Sequence, residues 1–431
     1  MTLGVKVRAL RKTRGLTQRA LAGGDLSESF ISMLEHDKVQ PSLATLRLLA
    51  DRLAVPLSTF LDQRDHGTLK AETRLRHGDV LLGQHQFTSA LEQYEAALNM
   101  ADRGGEERLG AQAHLGLGQA LMGLRQFDLA ESHIQQAEAE GEQFADPRFV
   151  GLVANARGLL AIRQRQFSLA RSSLLRGLTS IRQAQPPDPE LEAHMLGNLG
   201  RVYINLGLPL QALACFEDAR PALEAAANPT GLALLHLNSG IAYSQQEAFD
   251  EAARHLHQAA DLLRVEENLQ LLGGVKRSLG ILMLDRGDPA AAEPLLRQSL
   301  SIAEQMSDDA GRAQTLTELG RAVLQRGRIE EAALLAVQAL RLAERVEDPA
   351  EAARAHVVMG GVARQRNRLA ESAAHYEQAV ETFRRLEIHK ESSEALRELG
   401  FAYLEAGQEG QAARAFAEAF TVQKARVEVD R

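Results

Sequence analysis

Residues 198–219 read NLGRVYINLGLPLQALACFEDA, and this stretch decides the fold. Gly200 is followed by Ala212, Phe216 and Ala219, with the turn signal Gly207-Leu208-Pro209 between. A glycine and two alanines let two helices approach closely, and the phenylalanine fills the groove between them. The frame recurs in both directions. Glycines stand at Gly78, Gly118, Gly158, Gly200, Gly240, Gly280, Gly320, Gly360 and Gly400, 40 residues apart except for 42 between Gly158 and Gly200. The first small residue follows as Ala90, Ala130, Ala170, Ala212, Ala252, Ala292, Ala332, Ser372 and Ala412. The larger residue follows as Tyr94, Ile134, Leu174, Phe216, Leu256, Leu296, Tyr376 and Phe416, with Ala336 in its place in the seventh unit. Nine units in one register predict nine helix pairs, A then B, over residues 71–431.

Composition agrees. A chain of 431 residues exceeds one compact core. Aromatic residues are 4% and Trp is absent, which disfavours an all-β protein. The fold class expected is all-α. Cys215 is the only cysteine, so disulfides within the chain and cysteine zinc clusters are excluded. Beside Phe216 it reads as inert core. The N-terminal residues show no signal-peptide core, and no apolar run approaches the ~20 residues that span a bilayer. A cytoplasmic location, without membrane contact, is expected. The net charge of −8 hides an asymmetry. Residues 1–63 hold nine cations and six anions, +3; residues 64–431 hold 40 cations and 51 anions, −11. A basic head on an acidic body points to two different partners.

The 40-residue frame resembles the tetratricopeptide repeat, in a version longer than the usual 34 and without its Trp. The resemblance implies a right-handed α-solenoid whose A helices line a concave face. The irregular spacing coincides with Gln185-Pro186-Pro187-Asp188-Pro189, read as a longer loop, with a hinge as the sharper reading.

The head reads as five short helices within residues 1–63, with Thr17, Ser27 and Ser42 as N-caps. Its Leu16-Thr17-Gln18, Leu21-Ala22, Ser27, Ile31-Ser32, Glu35, Lys38 and Pro41-Ser42 pattern resembles the Cro/phage-repressor type of helix-turn-helix, the XRE family. The turn before Ser27 is one residue shorter than usual, and Asp37 stands where Gly is common. The resemblance implies double-stranded DNA as partner, with the third helix in the major groove. Glu28 and Ser29 would read bases, with Met33 a turn further on; Ser27 caps that helix beside the same surface. Gln18, Ser32, Lys38 and Gln40 would meet phosphates. Glu28 has a competing role, an acid favouring the helix dipole. Arg11 and Glu35 resemble the family's internal ion pair. A palindromic operator and a homodimer are expected. Residues 64–70 are expected to be a linker.

On the concave face a polar ladder is expected to hold a ligand: Asn155, Arg163, Asn198, Arg201, Asn205, Asn238, Gln245, Arg277 and Arg321, with Gln325 and Gln365 in the same register. Amide side chains supply both donor and acceptor to an extended peptide. Asn-Leu-Gly can equally be repeat framework. His114, His236 and His356 share one register but cannot meet on one metal, and fill the slot of the missing Trp. His255 and His257 point to different sides of a helix. No metal, cofactor or catalytic constellation is read, so an enzyme is not expected. The whole layout resembles the cytosolic peptide-pheromone receptors of the Rap/Rgg/NprR/PlcR/PrgX group. That implies a transcription factor switched by a short signalling peptide. A protein-docking adaptor, whose repeats hold a partner protein, is the alternative.

Overall fold

The structure, a computed structural model, describes residues 3–39, 41–60, 63–144 and 146–429. Every described element is helical. The chain divides into two compact units, Met1–Leu160 and Ala161–Arg431.

The first unit opens with α1 (Leu3–Thr13), α2 (Gln18–Ala22), α3 (Glu28–Glu35) and α4 (Leu43–Arg52). Thr17, Ser27 and Ser42 cap the last three, accepting from the amides of Ala20, Phe30 and Thr45 at 3.0, 3.0 and 3.2 Å. The expected fifth helix is a single 3-10 turn, Leu57–Thr59. Three residues cannot close the longer ring of an α-helix. Val7, Leu21, Ile31, Leu34, Leu49, Leu53 and Phe60 form the core of this head.

Both departures from the helix-turn-helix pattern have a local solution. The short turn works because Gly23 (φ 54°) and Gly24 (φ 90°) both take positive φ. Asp37 adopts the left-handed conformation at φ 55°, and its Oδ1 accepts the amide of Gly4 at 2.8 Å. A side chain on Gly4 would press within 2.3 Å of the Leu34 carbonyl.

The segment expected as a linker, residues 64–70, instead belongs to the helix Gln63–Gly83. It contains no proline and only one glycine, Gly67, so the helix extends at one bond per residue.

The repeats form helix pairs as the glycine frame requires. In the fourth repeat, Pro189–Leu206 and Pro209–Ala225 pair face to face. A Cβ on Gly200 would lie 2.2 Å from Phe216, and one on Gly78 or Gly400 would lie 2.6 or 2.5 Å from Tyr94 or Phe416. In the seventh repeat, where Ala336 replaces the large residue, the nearest atom to a Cβ on Gly320 is 3.3 Å away. The turn between A and B places a left-handed residue at one register: His85 and Arg125 in the first unit, and Arg165, Gly207, Glu247, Gly287, Gly327, Asn367 and Gly407 in the second. The core passes from repeat to repeat, as Ala233, Leu256, Leu263, Val275 and Leu279 show. Of the proline segment, residues 185–188 lie between the helices Phe167–Ile181 and Pro189–Leu206, and Pro189 opens the second. The division between the two units falls inside the helix Pro147–Arg163, not at that loop.

Candidate functional site

The head presents one polar edge. α3 buries Ile31, Leu34 and Glu35 and turns Ser27, Glu28, Ser29 and Met33 outward. Ser32 is half-buried, and its carbonyl meets His36 Nδ1 at 2.7 Å. Lys38 is exposed just past the helix. Gln40 lies outside the described residues. Ser27 Oγ accepts the Phe30 amide, and its hydroxyl proton remains to donate. Gln18 Nε2 donates to Glu35 Oε2 at 2.8 Å, which leaves one N–H for an outside acceptor.

Beneath this edge Arg11 reaches Glu35 from Nε at 2.5 Å and Nη2 at 2.9 Å, and donates from Nη1 to the Leu16 carbonyl at 2.8 Å. Glu35 is 3% exposed. Burial pushes its carboxyl up, but hydrogen bonds from Arg11 and Gln18 and the charges of Arg11 and Arg8 outweigh this, so it titrates below the ordinary carboxylate range. The ion pair therefore locks α1, α2 and α3 together.

The second unit carries a groove of about 1530 Å³ along its A helices. That exceeds the ~300–1,000 Å³ of small-molecule sites. Of the expected ladder, Asn205, Gln245, Arg321, Gln325 and Gln365 line it. Their amides are partly engaged within the protein. Gln245 Nε2 donates to the Ile204 carbonyl at 3.2 Å and Gln365 Nε2 to the Leu324 carbonyl at 3.4 Å, each tethering its repeat to the one before. Asn205 donates to the Arg201 carbonyl at 2.8 Å. Their side-chain carbonyls remain as acceptors. Arg321 bonds Asp285 at 3.2 Å.

The other ladder members stand differently. Asn198 and Asn238 are half-buried and do not line the groove. Arg163 and Arg201 are exposed. Arg277 is half-buried beside the groove. Asn155 belongs to the first unit.

The groove also holds charges that the ladder reading missed. Arg354 bonds Glu351 at 3.0 Å and Glu391 at 3.1 Å. Arg364 bonds Glu398 and Glu405, both at 2.9 Å, and lies 5.6 Å from the centre of the Phe401 ring. Arg321 Nε stands 3.3 Å from Glu318, without hydrogen-bond geometry. Burial pushes the carboxyls of Glu318 and Glu394 up. For Glu318, Glu398 and Glu405 the available signal was charge at the same register positions as the amides.

Cys215 is buried, and burial pushes its thiol up to about 11, as inert core requires. His114, His236 and His356 each meet a partner that sequence reasoning missed. Their Nδ1 atoms lie 2.8, 2.9 and 3.2 Å from Nδ1 of His133, His255 and His375. The spacing of 19 residues, three times over, was the signal. No group of three metal-ligating side chains occurs among the described residues. No described helix is long and apolar enough to cross a membrane.

Comparison with known proteins agrees with this layout. Residues 7–60 match a helix-turn-helix family model. Residues 75–143, 191–264, 271–345 and 317–385 match tetratricopeptide repeat models. An immunity repressor protein of Bacillus phage phi105 is 39% identical over 64 residues, 15% of this chain and 44% of that protein. The regulatory protein AfsR of Streptomyces griseus is 30% identical over 247 residues, 57% of this chain and 24% of that protein. The chain thus spans less than half the length of either curated relative. A Rap protein complexed with competence and sporulation factor superposes with TM-score 0.69 at 13% identity, over 84% of this chain and 99% of that one. The quorum sensor NprR from B. thuringiensis, in its apo form, gives 0.60 at 14% identity over 82% and 98%. NprR in complex with its cognate peptide NprX gives 0.61 at 14% identity over 82% and 99%. At these identities the likeness establishes the repeat fold. The chain is therefore a helix-turn-helix protein of the Cro/phage-repressor type that carries tetratricopeptide repeats.

Proposed function

We propose that this protein is a sequence-specific DNA-binding transcriptional regulator whose repeats sense a short linear peptide. One observation carries the reading: the same chain joins an exposed polar recognition edge to a long groove lined by amide and charged side chains. Folds similar to it include one complexed with competence and sporulation factor and one complexed with NprX. On this reading Glu28, Ser29 and Met33 meet base edges, and Ser27, Ser32, Lys38, Gln18 and Gln40 meet phosphates. Peptide backbone is held by the carbonyls of Asn205, Gln245 and Gln365. The chain acts in the cytoplasm as a homodimer on a palindromic site, without catalysis. A peptide switches it by binding one arrangement of the dimer more tightly than the other.

The test is selection of bound duplexes from random DNA, with and without peptides. A palindromic consensus is expected. Ser29→Ala should relax one position, and Lys38→Ala should weaken all sites alike, lowering the salt slope by about one. Peptides that neither stabilise the protein nor alter DNA binding would end the sensing reading. Stable co-purification of one protein, with no DNA preference, would favour a docking adaptor.

A further inference from the structure

We propose that a cavity between the fourth and fifth repeats binds a small molecule through an oxyanion, a phosphate, sulfate or carboxylate group. The cavity measures about 360 Å³ and shares no lining residue with the groove. That volume lies at the small end of small-molecule sites, ~300–1,000 Å³, and suits a ligand smaller than a peptide. Three helices form it: Pro209–Ala225, Pro229–Gln245 and Phe249–Val265.

His236 and His255 line it together, with Nδ1 atoms 2.9 Å apart and ring centroids 5.1 Å apart. The centroid distance is nearly the largest that this nitrogen separation allows, so the two nitrogens point straight at each other. One Nδ1 donates to the other, and both Nε2 atoms stay outside that bond. A metal held by both rings would need lone pairs that converge on it, not lone pairs on one line. Histidine stands at both of these register positions in repeats 2, 5 and 8, and at neither in the other repeats. What differs is the setting. In repeat 2, His114 Nε2 stands 3.7 Å from an acid, Glu140. The pair in repeat 5 instead shares its cavity with Arg220 of the preceding helix and Arg254 of the helix that carries His255.

Arg220 Nη2 bonds Glu217, but Arg220 Nε is buried without a hydrogen-bond partner. Arg254 is exposed. The groups left to a ligand are therefore mostly donors: Arg220 Nε, the Arg254 guanidinium, an imidazole Nε2–H, the Tyr243 hydroxyl and the Gln258 amide. Tyr243 also stacks on His255, with ring centroids 5.2 Å apart. An oxyanion accepts from all of these, and the arginine fork matches its geometry. Of the two carboxylates, Glu217 is taken by Arg220 and Glu224 is exposed. The two arginines and two glutamates of the lining balance, so an added anion calls for a proton. These four charged groups face the histidine pair. Burial, and after it their charges, leave both rings below the ordinary histidine value. An oxyanion seated on the arginines cancels their repulsion of a further proton. The pair then takes one proton from solvent onto its free Nε2 and keeps the Nδ1 bond, now charge-assisted.

The test is calorimetric titration of the full-length protein with sulfate, glycerol phosphate and acetate, at an ionic strength held constant with chloride. At least one should bind saturably, one per chain, with Kd below about 1 mM. Which one binds assigns the group to a free inorganic ion, a phosphate monoester or a carboxylate. Arg220→Gln should weaken that binding roughly tenfold or more, and Glu224→Gln should strengthen it. Affinity should rise on acidification by up to about tenfold per pH unit, and His255→Gln should remove the rise. None of the three ligands gains negative charge on acidification, so the rise belongs to the protein. Saturable binding of none of them, or binding that Arg220→Gln leaves unchanged, overturns the proposal. Binding independent of pH overturns the part given to the histidine pair. The wild-type titrations decide whether or not the variants fold, and no outcome depends on what the groove binds.

Discussion

Replacing Arg11 with Met should unfold the helix-turn-helix head and leave the repeats folded. Glu35 is 3% exposed and takes two hydrogen bonds from Arg11 and one from Gln18. Removing Arg11 strands a buried carboxylate, at a cost of about 3–5 kcal/mol. A ~60-residue domain has only about 3–9 kcal/mol in total. The assay is amide hydrogen exchange on the full chain. Protection at Leu21, Ile31 and Leu49 should fall roughly 150- to 5,000-fold, while Leu256, Val275 and Leu279 are unchanged. The pH dependence has a definite sign. In the wild type Glu35 titrates below its unfolded value, so its contribution is present above that value and is lost as pH falls through the folded one. In the variant burial dominates and the carboxyl can protonate, so the gap between the two proteins narrows on acidification. Arg11→Met combined with Glu35→Met should recover most of the loss, since apolar residues of similar volume replace a buried pair at little cost. Unchanged protection in the single variant, or a double variant no better than the single, would refute the reasoning.

Four further outcomes are expected. Gly200→Ala should destabilise the repeats by about 1–3 kcal/mol in thermal unfolding, because its Cβ would stand 2.2 Å from Phe216. Gly320→Ala should cost far less, within about 1 kcal/mol of the wild type, because its Cβ would stand 3.3 Å from Val358, a tight contact that offsets alanine's preference for helix. Glu247→Gly should raise stability by about 0.5–1 kcal/mol, relieving a left-handed residue at φ 60°. Burial, with the charges of His236, Arg254 and Arg220, pulls His255 down from 6.5 to about 4. Its neutral form is the folded one, so this stability is full above pH ~6.5 and disappears as pH falls toward ~4, about 3 kcal/mol in all. Thermal midpoints measured across that range should show the decline, and His255→Gln should flatten it.

The helix-turn-helix head was legible in sequence because its signals are short-range. Caps at Thr17, Ser27 and Ser42, and alternation of buried Ile31 and Leu34 with exposed Ser29 and Met33, lie within a few residues of each other. Its end was less legible. Nothing between Gln63 and Lys70 stops a helix, so a presumed linker joined the helix Gln63–Gly83. The repeats were legible because nine copies share one register and most follow one steric rule, a glycine under a large side chain, as at Gly78, Gly118, Gly200, Gly240, Gly280, Gly360 and Gly400. The groove was only half legible. Register named Asn205, Gln245 and Arg321, but an amide that faces the groove and one that tethers two repeats look alike in sequence, and Gln245 and Gln365 do the tethering.

By itself, then, the sequence determined the all-α architecture, the repeat frame and the exposed polar edge of the head. Each depends on spacing along one or two helices, which the backbone converts directly into position. Tertiary structure alone decided which charges meet. Arg165, in the turn after the third repeat's A helix, comes within electrostatic reach of Arg354 and Glu391 in the eighth and ninth repeats. Arg354 finds Glu391 in the next repeat, and Thr317 finds Glu351. Such encounters are set by how far each helix pair rotates on the one before it. That rotation accumulates over many packed contacts and is written in no single stretch of the chain.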